Sequence, residues 1–415
     1  MAEQNTIDAP AVEAAAAAGG GYELKEYNDF NIMGLSNNLL RGIVSFGYET
    51  PSPIQAKAII PLMEGHDVLA QAQSGTGKTG AFCIGSIAQI DPAVVVPQVL
   101  IFSHTRELAE QTYTVANHIS SFCNIKVHLA VGGTPLQNDI RAMESGVHML
   151  IGTPGRIAHL IKIRKLNPAT IKRIIIDEAD HMLEDRFKDQ ISEILAPEPG
   201  LPQFSKDVKI GLFSATLPTA VRDFALELMP DPVETLVPAE ALTLDGIQQY
   251  FVEVPDEAAR FLVLEDIYTM LNVNQLIIFV NSVQQAESLA DRMKKNGHVL
   301  QYIHGKMTTE ERNARMKDFR TGKCRVLIST DLLARGIDVQ QVSVVFNYEM
   351  PQNRENYIHR IGRSGRFGRK GIAINIVTPA EHEHKLNDIR VTYNTKIEEL
   401  TGDVLSSAHT FHKTA

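Results

Sequence analysis

Residues 68–79 read Val-Leu-Ala-Gln-Ala-Gln-Ser-Gly-Thr-Gly-Lys-Thr, a short apolar run that leads into a loop of small residues closed by Lys78 and Thr79. The spacing is close to G-x-x-x-x-G-K-S/T, with Ala72 in place of the first glycine. In such loops, backbone N–H groups curl around a phosphate, the lysine reaches the β- and γ-phosphates, and the last hydroxyl faces Mg²⁺. A lone Gly-x-Gly is often an ordinary turn, but Gly-Lys-Thr directly after a buried strand favours a nucleotide site. The predicted phosphate-binding residues are Ser74, Gly75, Thr76, Gly77, Lys78 and Thr79.

Short apolar runs recur on both sides of this loop, and each is followed by polar or glycine-rich residues. Continuous β-branched runs of this length are typical of strands that are buried on both faces, as in a parallel sheet. Helical patterns lie between them, so strand and helix alternate twice over, which predicts two doubly wound α/β domains. The runs are 68–70, 99–102, 149–151, 174–176 and 210–213 in the first half and 276–280, 299–303, 326–328, 344–346 and 372–377 in the second.

Three local signals place helices between these strands. An apolar stripe of Leu108, Val115, Ile119 and Phe122 has helical spacing. Two further helices are predicted to open with capping boxes, at residues 282–285 (Ser-Val-Gln-Gln) and 308–311 (Thr-Thr-Glu-Glu).

The domain organisation follows from changes in composition along the chain. Residues 1–21 are small and glycine-rich and have no apolar periodicity, which predicts a disordered tail. A stretch with Pro230, Pro232 and Pro238 separates the two halves, and a further strand is predicted after it at residues 249–254. The predicted division is a first domain at 22–237, a flexible linker at 238–245, a second domain at 246–405 and a loose tail at 406–415.

The bulk composition excludes several classes of protein. The 415 residues have a net charge of −9 and a pI near 5.9, which argues against a protein that holds nucleic acid through bulk positive charge. A local basic groove stays compatible with this balance. The sequence shows no apolar stretch of the roughly 18 residues that a membrane helix needs and no secretory signal pattern. The three scattered cysteines predict neither a disulfide framework nor a metal site, and they fit a reducing compartment such as cytosol or nucleus.

A second chemical signal follows another buried strand, where Ile174–Ile176 leads into Asp177-Glu178-Ala179-Asp180. A carboxylate at the end of a neighbouring strand would hold Mg²⁺ directly or through water, which assigns Asp177 with Thr79 as metal ligands. The adjacent Glu178 would orient and deprotonate an attacking water. An acidic cluster after a strand is often only a solvated helix start. The phosphate loop makes the catalytic interpretation the stronger one.

Residues 177–180 spell D-E-A-D, and with their companion motifs in order they resemble the DEAD-box ATP-dependent RNA helicases from about Tyr22 to about Leu400. The resemblance implies two tandem RecA-like domains, each a mostly parallel sheet with helices on both faces. It implies RNA-stimulated ATP hydrolysis coupled to local RNA duplex unwinding, with ATP and Mg²⁺ as cofactors. Within the family the chain is most similar to the helicases of translation initiation, and the helicase of the exon-junction complex is the near alternative.

The family's adenine-recognition motif resembles Gly47–Gln55 together with the upstream Phe30. A glutamine amide matches the N6 and N7 edge of adenine and an aromatic ring can stack on the base, which predicts ATP over GTP. The resemblance assigns Phe30, Tyr48 and Gln55 to the nucleotide. By itself this segment would be interpreted as a helix-capping Pro/Ser turn with a surface glutamine.

Hydroxyls, glycine N–H groups and arginines are the groups that contact a phosphate backbone, and they read no base sequence. Each short motif that supplies such groups is weak evidence by itself. Thr-Pro-Gly-Arg, for example, is also the sequence of an ordinary turn. The resemblance assigns to RNA Thr105, Arg106, Gly133, Thr153, Gly155 and Arg156 in the first domain and Asn281, Thr330 and Arg335 in the second.

The remaining motifs concern coupling and catalysis. The resemblance makes Arg363 and Arg366 arginine fingers that enter the ATP site when the domains close, and such fingers are worth roughly 10³–10⁵ in rate. Without it, the cluster of His359, Arg360, Arg363 and Arg366 would be interpreted as a solvated basic patch or a generic nucleic-acid site. Lys78, Asp177 and Glu178 complete the predicted catalytic set. The predicted coupling residues are Ser214, Thr216, Asp180 and His359, and Gly336 and Asp338 are expected near the nucleotide.

The chain departs from the family pattern at three places. His104 stands where the family has proline, which predicts altered loop stiffness without full loss of RNA binding. The family's usual glutamine is missing from residues 309–315, where Arg312 or Arg315 is expected to serve instead. The segment 406–415 is polar where the family ends on a short apolar stretch.

Two other classes of function stay open at this stage. A DNA translocase or another two-domain P-loop ATPase would share the phosphate loop, and an RNA clamp locked by partner proteins would share every motif. The resemblance favours a monomer that binds single-stranded or duplex RNA without sequence preference. Protein partners are expected to be an initiation scaffold and cofactor subunits. We expect a cytoplasmic location, or a nuclear one for an exon-junction type of helicase.

Overall fold

A computed structural model of the chain describes residues 22–72, 75–182, 185–195, 200–236, 247–271, 275–331, 342–364 and 371–401. The predicted tails at 1–21 and 406–415 and the predicted linker at 238–245 lie outside these residues. The domain boundaries therefore remain predictions.

The first half of the described chain forms one seven-stranded sheet in which every paired strand is parallel. Its order is β3-β4-β2-β5-β6-β1-β7. The strands are β1 Val68–Gln71, β2 Val99–Phe102, β3 Val127–Ala130, β4 Met149–Gly152, β5 Arg173–Asp177, β6 Lys209–Ser214 and β7 Val233–Thr235.

The second half forms another seven-stranded parallel sheet, of order β10-β11-β9-β12-β13-β8-β14. Counted from its own first strand, this is the order of the first sheet, so the two domains repeat one topology. The strands are β8 Ile247–Glu253, β9 Leu276–Phe279, β10 Leu300–Ile303, β11 Val326–Ser329, β12 Val344–Asn347, β13 Gly371–Val377 and β14 Glu398–Glu399.

Helices connect the strands and cover the sheets. None of the helices in the described ranges combines the length and the hydropathy needed to cross a bilayer. The helices are α1 Asn37–Phe46, α2 Pro53–Met63, α3 Lys78–Ile87, α4 Arg106–Ile119, α5 Leu136–Ser145, α6 Pro154–Lys162, α7 Ala179–Met182, α8 Asp185–Leu195, α9 Thr219–Leu228, α10 Glu257–Met270, α11 Val283–Lys295, α12 Thr309–Arg320, α13 Arg354–Ile361, α14 Pro379–Glu381 and α15 Asn387–Thr392.

The continuous apolar runs are explained by burial on both faces of each sheet. Alternate residues of one strand enter different cores: Val68 and Ala70 pack with α1–α4, whereas Leu69 packs with α6–α9. Side chains on both faces of the strand are therefore buried, which favours apolar residues at every position. The period-2 alternation of a half-exposed strand is lost for this reason. The two predicted RecA-like α/β domains are confirmed.

The helix predictions are correct in part. Leu108 and Ile119 are buried on α4, but Phe122 lies beyond the end of that helix, is 37% exposed and carries the Arg41 guanidinium over its ring. The predicted apolar stripe therefore extends about one turn beyond the end of α4. Thr308 forms the predicted capping box. Ser282 accepts the Gln285 N–H as an N-cap, without the reciprocal bond.

Three strands were missing from the sequence interpretation: β3, β7 and β14. β3 is an edge strand of mostly half-buried residues, and β14 has two exposed glutamates. Because most of their residues are partly or fully exposed, local hydropathy carries little signal for them. β7 pairs in parallel with β1, which extends the first sheet at least to Thr235.

Candidate active site

The phosphate loop connects β1 to α3 at the carboxyl edge of the first sheet. Gly77 caps α3 with a left-handed φ of 100°, a conformation that suits glycine. Lys78 is only 6% exposed, and its Nζ donates a 2.6 Å hydrogen bond to the Ala72 carbonyl across the loop. The N-terminus of α3 and this ammonium group form an anion-binding corner. Ser74 lies outside the described residues, and Thr79 is half-buried in the first turn of α3.

Gln55 ties this loop to the segment that precedes it. Its Oε1 accepts the Ser52 N–H at 2.9 Å and its Nε2 donates to the Gly77 carbonyl at 3.2 Å. The approach is close: a Cβ on Gly77 would lie 2.7 Å from Gln55 Nε2, and one on Gly80 would lie 2.8 Å from the Tyr48 ring. Gln55 and Tyr48 therefore lie against the start of α3.

Phe30 has a different environment from that expected for a stacking residue. It is 3% exposed and belongs to the core that α1–α4 build on the first sheet. Stacking on a base requires an open ring face, and in this arrangement little of the ring is open. The stacking role of Phe30 stays a prediction, and its packing beneath the adenine-recognition segment is what the structure shows.

The acidic residues lie beside the loop because the strand order places β5, β6 and β1 next to one another. Asp177, at the end of β5, is 2% exposed, and burial together with the neighbouring Glu178 raises its pKa to about 8. Burial also acts to raise the pKa of Glu178. The charges of Lys78, His359 and Arg363 outweigh it and hold that pKa below its ordinary value. Glu178 is therefore an ionised carboxylate, as a water-activating base must be.

A hydrogen-bonded junction joins Asp180 to both domains. The Thr216 hydroxyl donates to Asp180 Oδ2 at 2.6 Å, and His359 Nε2, from the second domain, lies 2.8 Å from the same oxygen. The Asp180 N–H donates to Ser214 Oγ at 3.3 Å. The other ring nitrogen of His359 lies 4.0 Å from Glu178 Oε2. All four predicted coupling residues thus meet at one point beside Glu178.

Arg363 reaches this site from the loop after α13. It is 3% exposed, and its Nε donates to the His359 carbonyl at 3.1 Å. Its positive charge is one of the charges that lower the pKa of Glu178. Residues of the second domain therefore complete the electrostatics of a site that the first domain begins.

The predicted RNA residues of the first domain lie at helix starts and loops. Thr105 caps α4 by accepting the Leu108 N–H at 3.2 Å, and Thr153 is the N-cap residue of α6. The Arg106 guanidinium approaches Gly133 so closely that a Cβ there would clash with it. Gly155 is exposed in the first turn of α6.

Arg156 is held inward by groups of its own domain. Its Nη1 donates to Asp139 Oδ2 at 2.9 Å and its Nη2 to the Thr134 carbonyl at 2.6 Å. Asp139 also lies 2.8 Å from His128 Nε2. In this arrangement Arg156 braces the loop, and direct contact with a phosphate stays a prediction.

Arg360 organises the corresponding loops of the second domain. It is fully buried, with Nε donating to Asp331 Oδ1 at 2.5 Å and Nη2 to Asn281 Oδ1 at 2.7 Å. Its Nη1 donates to the Glu349 carbonyl at 2.7 Å. Asn281 Nδ2 in turn donates to the Met350 carbonyl at 2.9 Å. Arg360 is thus a bridge between the ends of β9, β11 and β12, next to the half-buried Thr330.

One further ion pair crosses between the domains. Arg312 Nη1, on α12, lies 3.0 Å from Glu107 Oε1, which follows Arg106 on α4. Arg315 points elsewhere, with Nη1 donating to the Tyr302 carbonyl at 2.8 Å. Of the two arginines expected to replace the missing glutamine, Arg312 is the one that reaches the first domain.

Comparison with known proteins agrees with this geometry. Residues 52–224 match the DEAD/DEAH box helicase family and residues 259–368 match the helicase conserved C-terminal domain. The chain is 46% identical over 378 residues to Eukaryotic initiation factor 4A-8 of Nicotiana tabacum, covering 91% of this chain and 90% of that protein. It is 45% identical, with the same coverage, to Eukaryotic initiation factor 4A-1 of Arabidopsis thaliana. The structure of S. cerevisiae Dbp5 bound to RNA and ADP BeF3 is similar with a TM-score of 0.86 and 32% identity, covering 93% of this chain and 100% of that chain.

This chain belongs to the DEAD-box family of RNA helicases. The helicase is therefore an ATP hydrolase that acts on RNA, built on the tandem fold described above. The individual roles assigned to its site residues are predictions that the geometry makes specific. Ser74, Arg335, Gly336, Asp338 and Arg366 lie outside the described residues.

The helicase also contains site residues that the sequence interpretation did not single out. Arg360 was quoted only as one arginine of a basic cluster, and Asp139 and Glu107 received no role. The clustering of charge was visible, but whether a given arginine faces solvent or a buried carboxylate depends on partners far away in sequence. Asp331 lies 29 residues from Arg360, and Glu107 lies 205 residues from Arg312.

We expect Gln55→Ala to raise the KM of the helicase for ATP about tenfold. The variant loses the hydrogen bond to the Gly77 carbonyl, which holds the phosphate loop, and the bond from the Ser52 N–H, which positions Gln55. If Gln55 also reads adenine, the preference for ATP over GTP falls in the same variant. Steady-state ATPase and GTPase assays separate the two roles. Equal increases in both KM values would contradict adenine recognition, and Gln284→Ala, an exposed glutamine on α11, is the matched control.

We expect Arg360→Met to lower the free energy of unfolding of the second domain by about 2–3 kcal/mol. The Glu349 carbonyl and Asn281 Oδ1 lose their donor, and the partly exposed Asp331 carboxylate loses its cationic partner. Urea unfolding of the full chain measures the effect. The control is Arg354→Ala, which removes an exposed pair with Asp388 and is expected to cost about 0–1 kcal/mol. A cost as small as that of the control would contradict the bridging role of Arg360.

Proposed function

We propose that this helicase works in translation initiation as an RNA-stimulated ATPase, with ATP bound on the first domain and RNA lying across both. The observation that carries the proposal is the junction at Asp180, Glu178 and His359. It assembles only when the second domain is docked on the first. ATP hydrolysis and RNA binding then depend on the same closed arrangement of the two domains. This shared dependence is the coupling that a helicase needs.

The residues of the first domain fit a magnesium nucleotide. The buried Lys78 ammonium, the glycine loop and the buried Asp177 carboxylate provide the cation, the N–H groups and the hard oxygen ligand that such a group requires. In this proposal Asp177 and Thr79 hold Mg²⁺, partly through water. When bound, Mg²⁺ neutralises charge on the phosphates. Glu178 orients and deprotonates the attacking water, and Arg363 places positive charge at the transferred phosphoryl group.

RNA is proposed to follow the loops at the carboxyl edges of the two sheets. Thr105, Arg106 and Thr153 lie at that edge of the first domain, and Asn281 and Thr330 follow strands of the second. These groups offer hydroxyls, amides and charge to a phosphate backbone, so binding is independent of base sequence. The ion pair between Glu107 and Arg312 connects the two halves of this surface. RNA that spans both halves would therefore favour the closed arrangement.

The biological setting is proposed from the relatives. Proteins named eukaryotic initiation factor 4A are 45–46% identical over about nine tenths of the chain, which supports a role in translation initiation and a cytoplasmic location. Dbp5, a structural neighbour, has been solved with Gle1 bound. This supports protein partners that act on the helicase core, which for this chain we propose to be an initiation scaffold and cofactor subunits of a monomeric helicase.

The proposal is tested by the steady-state ATPase rate with no nucleic acid, with single-stranded RNA and with single-stranded DNA of the same sequence. We expect strong stimulation by RNA and little by DNA, and ATP-dependent separation of a short RNA duplex. Equal stimulation by DNA would support a DNA translocase instead. A low rate that RNA does not raise would support the partner-locked clamp.

A further inference from the structure

A compact group of metal-ligand side chains lies at the domain junction, next to the proposed hydrolytic site. Asp180 and His181 come from α7 of the first domain and His359 from α13 of the second, and one ligand atom of each lies within 4.8 Å of the others. The two imidazoles are 5% and 0% exposed. Their rings make a T-shaped contact with centroids 5.3 Å apart. None of the roles proposed above uses the His181 side chain.

We propose that Asp180, His181 and His359 form a binding site for a divalent transition-metal ion of the Zn²⁺ class that links the two domains. Two imidazole nitrogens and one carboxylate oxygen are the ligand set that Zn²⁺ accepts in three-residue protein sites, with a fourth position left for water. Mg²⁺ prefers oxygen ligands in an octahedral arrangement and binds imidazole poorly. The site is therefore chemically distinct from the magnesium site proposed at Asp177 and Thr79.

The distances are compatible with an ion at this position. Two ligands of a tetrahedral Zn²⁺ ion lie about 3.4 Å apart, given bonds of about 2.0–2.1 Å. His359 Nε2 and Asp180 Oδ2 are already 2.8 Å apart, joined by a hydrogen bond whose proton the ion would replace. His181 has to approach from at most 4.8 Å. That shift is within the range of a side-chain rotation.

The surroundings of the three ligands resemble the support that metal sites receive from neighbouring groups. Thr216 already fixes the Asp180 carboxylate with a 2.6 Å hydrogen bond, and the backbone N–H of His181 donates to the other oxygen of that carboxylate at 3.1 Å. His359 Nδ1 faces Glu178 Oε2 at 4.0 Å. An ion on Nε2 leaves the remaining ring proton on Nδ1, on the side of the Glu178 carboxylate but beyond hydrogen-bond distance of it.

Binding at this site has a consequence for activity. The ion would hold the domains together and place an N–H opposite Glu178, so turnover would fall because reopening is hindered and the base is engaged. This consequence rests on the proposed role of Glu178. Binding itself does not.

The test uses Co²⁺ as a spectroscopic probe on the full chain, freed of metal by chelation, without ATP, both alone and with a single-stranded RNA that favours the closed arrangement. The chain has 14 histidines, so adventitious binding has to be controlled. We expect one equivalent of Co²⁺ to give the visible absorption of a four-coordinate ion, and Zn²⁺ to displace it. His181→Gln and His359→Gln should both abolish that absorption. His298→Gln, which removes a histidine paired with Glu265 at 3.2 Å, should leave it unchanged.

Each alternative result overturns a definite part of the proposal. Retention of the absorption in His181→Gln would show adventitious binding elsewhere and remove the site. Loss in His181→Gln with retention in His359→Gln would show a site within one domain and remove the link between domains. Using two variants from different domains keeps the test valid if one of them fails to fold. An absent RNA stimulation of the ATPase would leave these spectra unaffected, so the two proposals fail independently.

Discussion

Arg363→Ala is expected to lower the RNA-stimulated rate of ATP hydrolysis by about 10³–10⁵, the range measured for arginine fingers in phosphoryl transfer. The guanidinium is buried at the domain junction, hydrogen-bonded to the His359 carbonyl and close enough to Glu178 to lower its pKa. It adds positive charge from the second domain to the charge that Lys78 of the first domain already places near Glu178. Removing it should reduce kcat far more than it raises the KM for ATP, because in the proposed site Lys78 and its loop bind the nucleotide.

The measurement is single-turnover ATP hydrolysis at saturating RNA, with nucleotide affinity followed separately. Arg363→Lys should recover only part of the rate, since a lysine keeps the charge and loses the planar pair of donors. Arg354→Ala, an exposed arginine at the start of α13, should behave as wild type. A kcat within threefold of wild type in Arg363→Ala would rule out the finger role and leave Arg366 as the remaining candidate.

Glu178→Gln is expected to lower kcat by about 10²–10⁴, the usual contribution of a positioned general base. The substitution keeps the size of the side chain and removes the negative charge that Lys78, His359 and Arg363 maintain. Affinity for ATP should be kept or increased, since one buried negative charge beside the phosphates is lost. The variant should therefore accumulate with ATP and RNA bound.

Both the rate and the binding have to be measured for Glu178→Gln, by single-turnover hydrolysis and by RNA affinity in the presence of ATP. Glu227→Gln on α9 is the matched control, because that carboxylate is exposed on the same domain. A large fall in RNA affinity together with the rate would indicate a structural role at the junction and contradict the assignment of Glu178 as the base.

The sequence alone determined the domain class and the first half of the site. Each core strand of a doubly wound sheet is buried on both faces, so it must be a short continuous apolar run, and such runs are visible without a structure. The phosphate loop and residues 177–180 are contiguous segments whose chemistry depends on local spacing. Their meeting at one sheet edge follows from the parallel topology. The edge strands β3 and β14 could not be predicted in this way, because their partly or fully exposed residues do not have to be apolar.

Only the tertiary structure decided how the two domains complete each other. Three contacts of this kind are Arg156 with Asp139, the buried Arg360 with Asp331, and Glu107 with Arg312. They join residues that are 17 to 205 positions apart. The meeting of His181 with His359 is of the same kind. The sequence pattern around an arginine or histidine does not reveal whether the side chain faces water or a buried carboxylate. The free energy that separates these cases comes from desolvation and pairing, and both are set by residues that only the folded chain brings into contact.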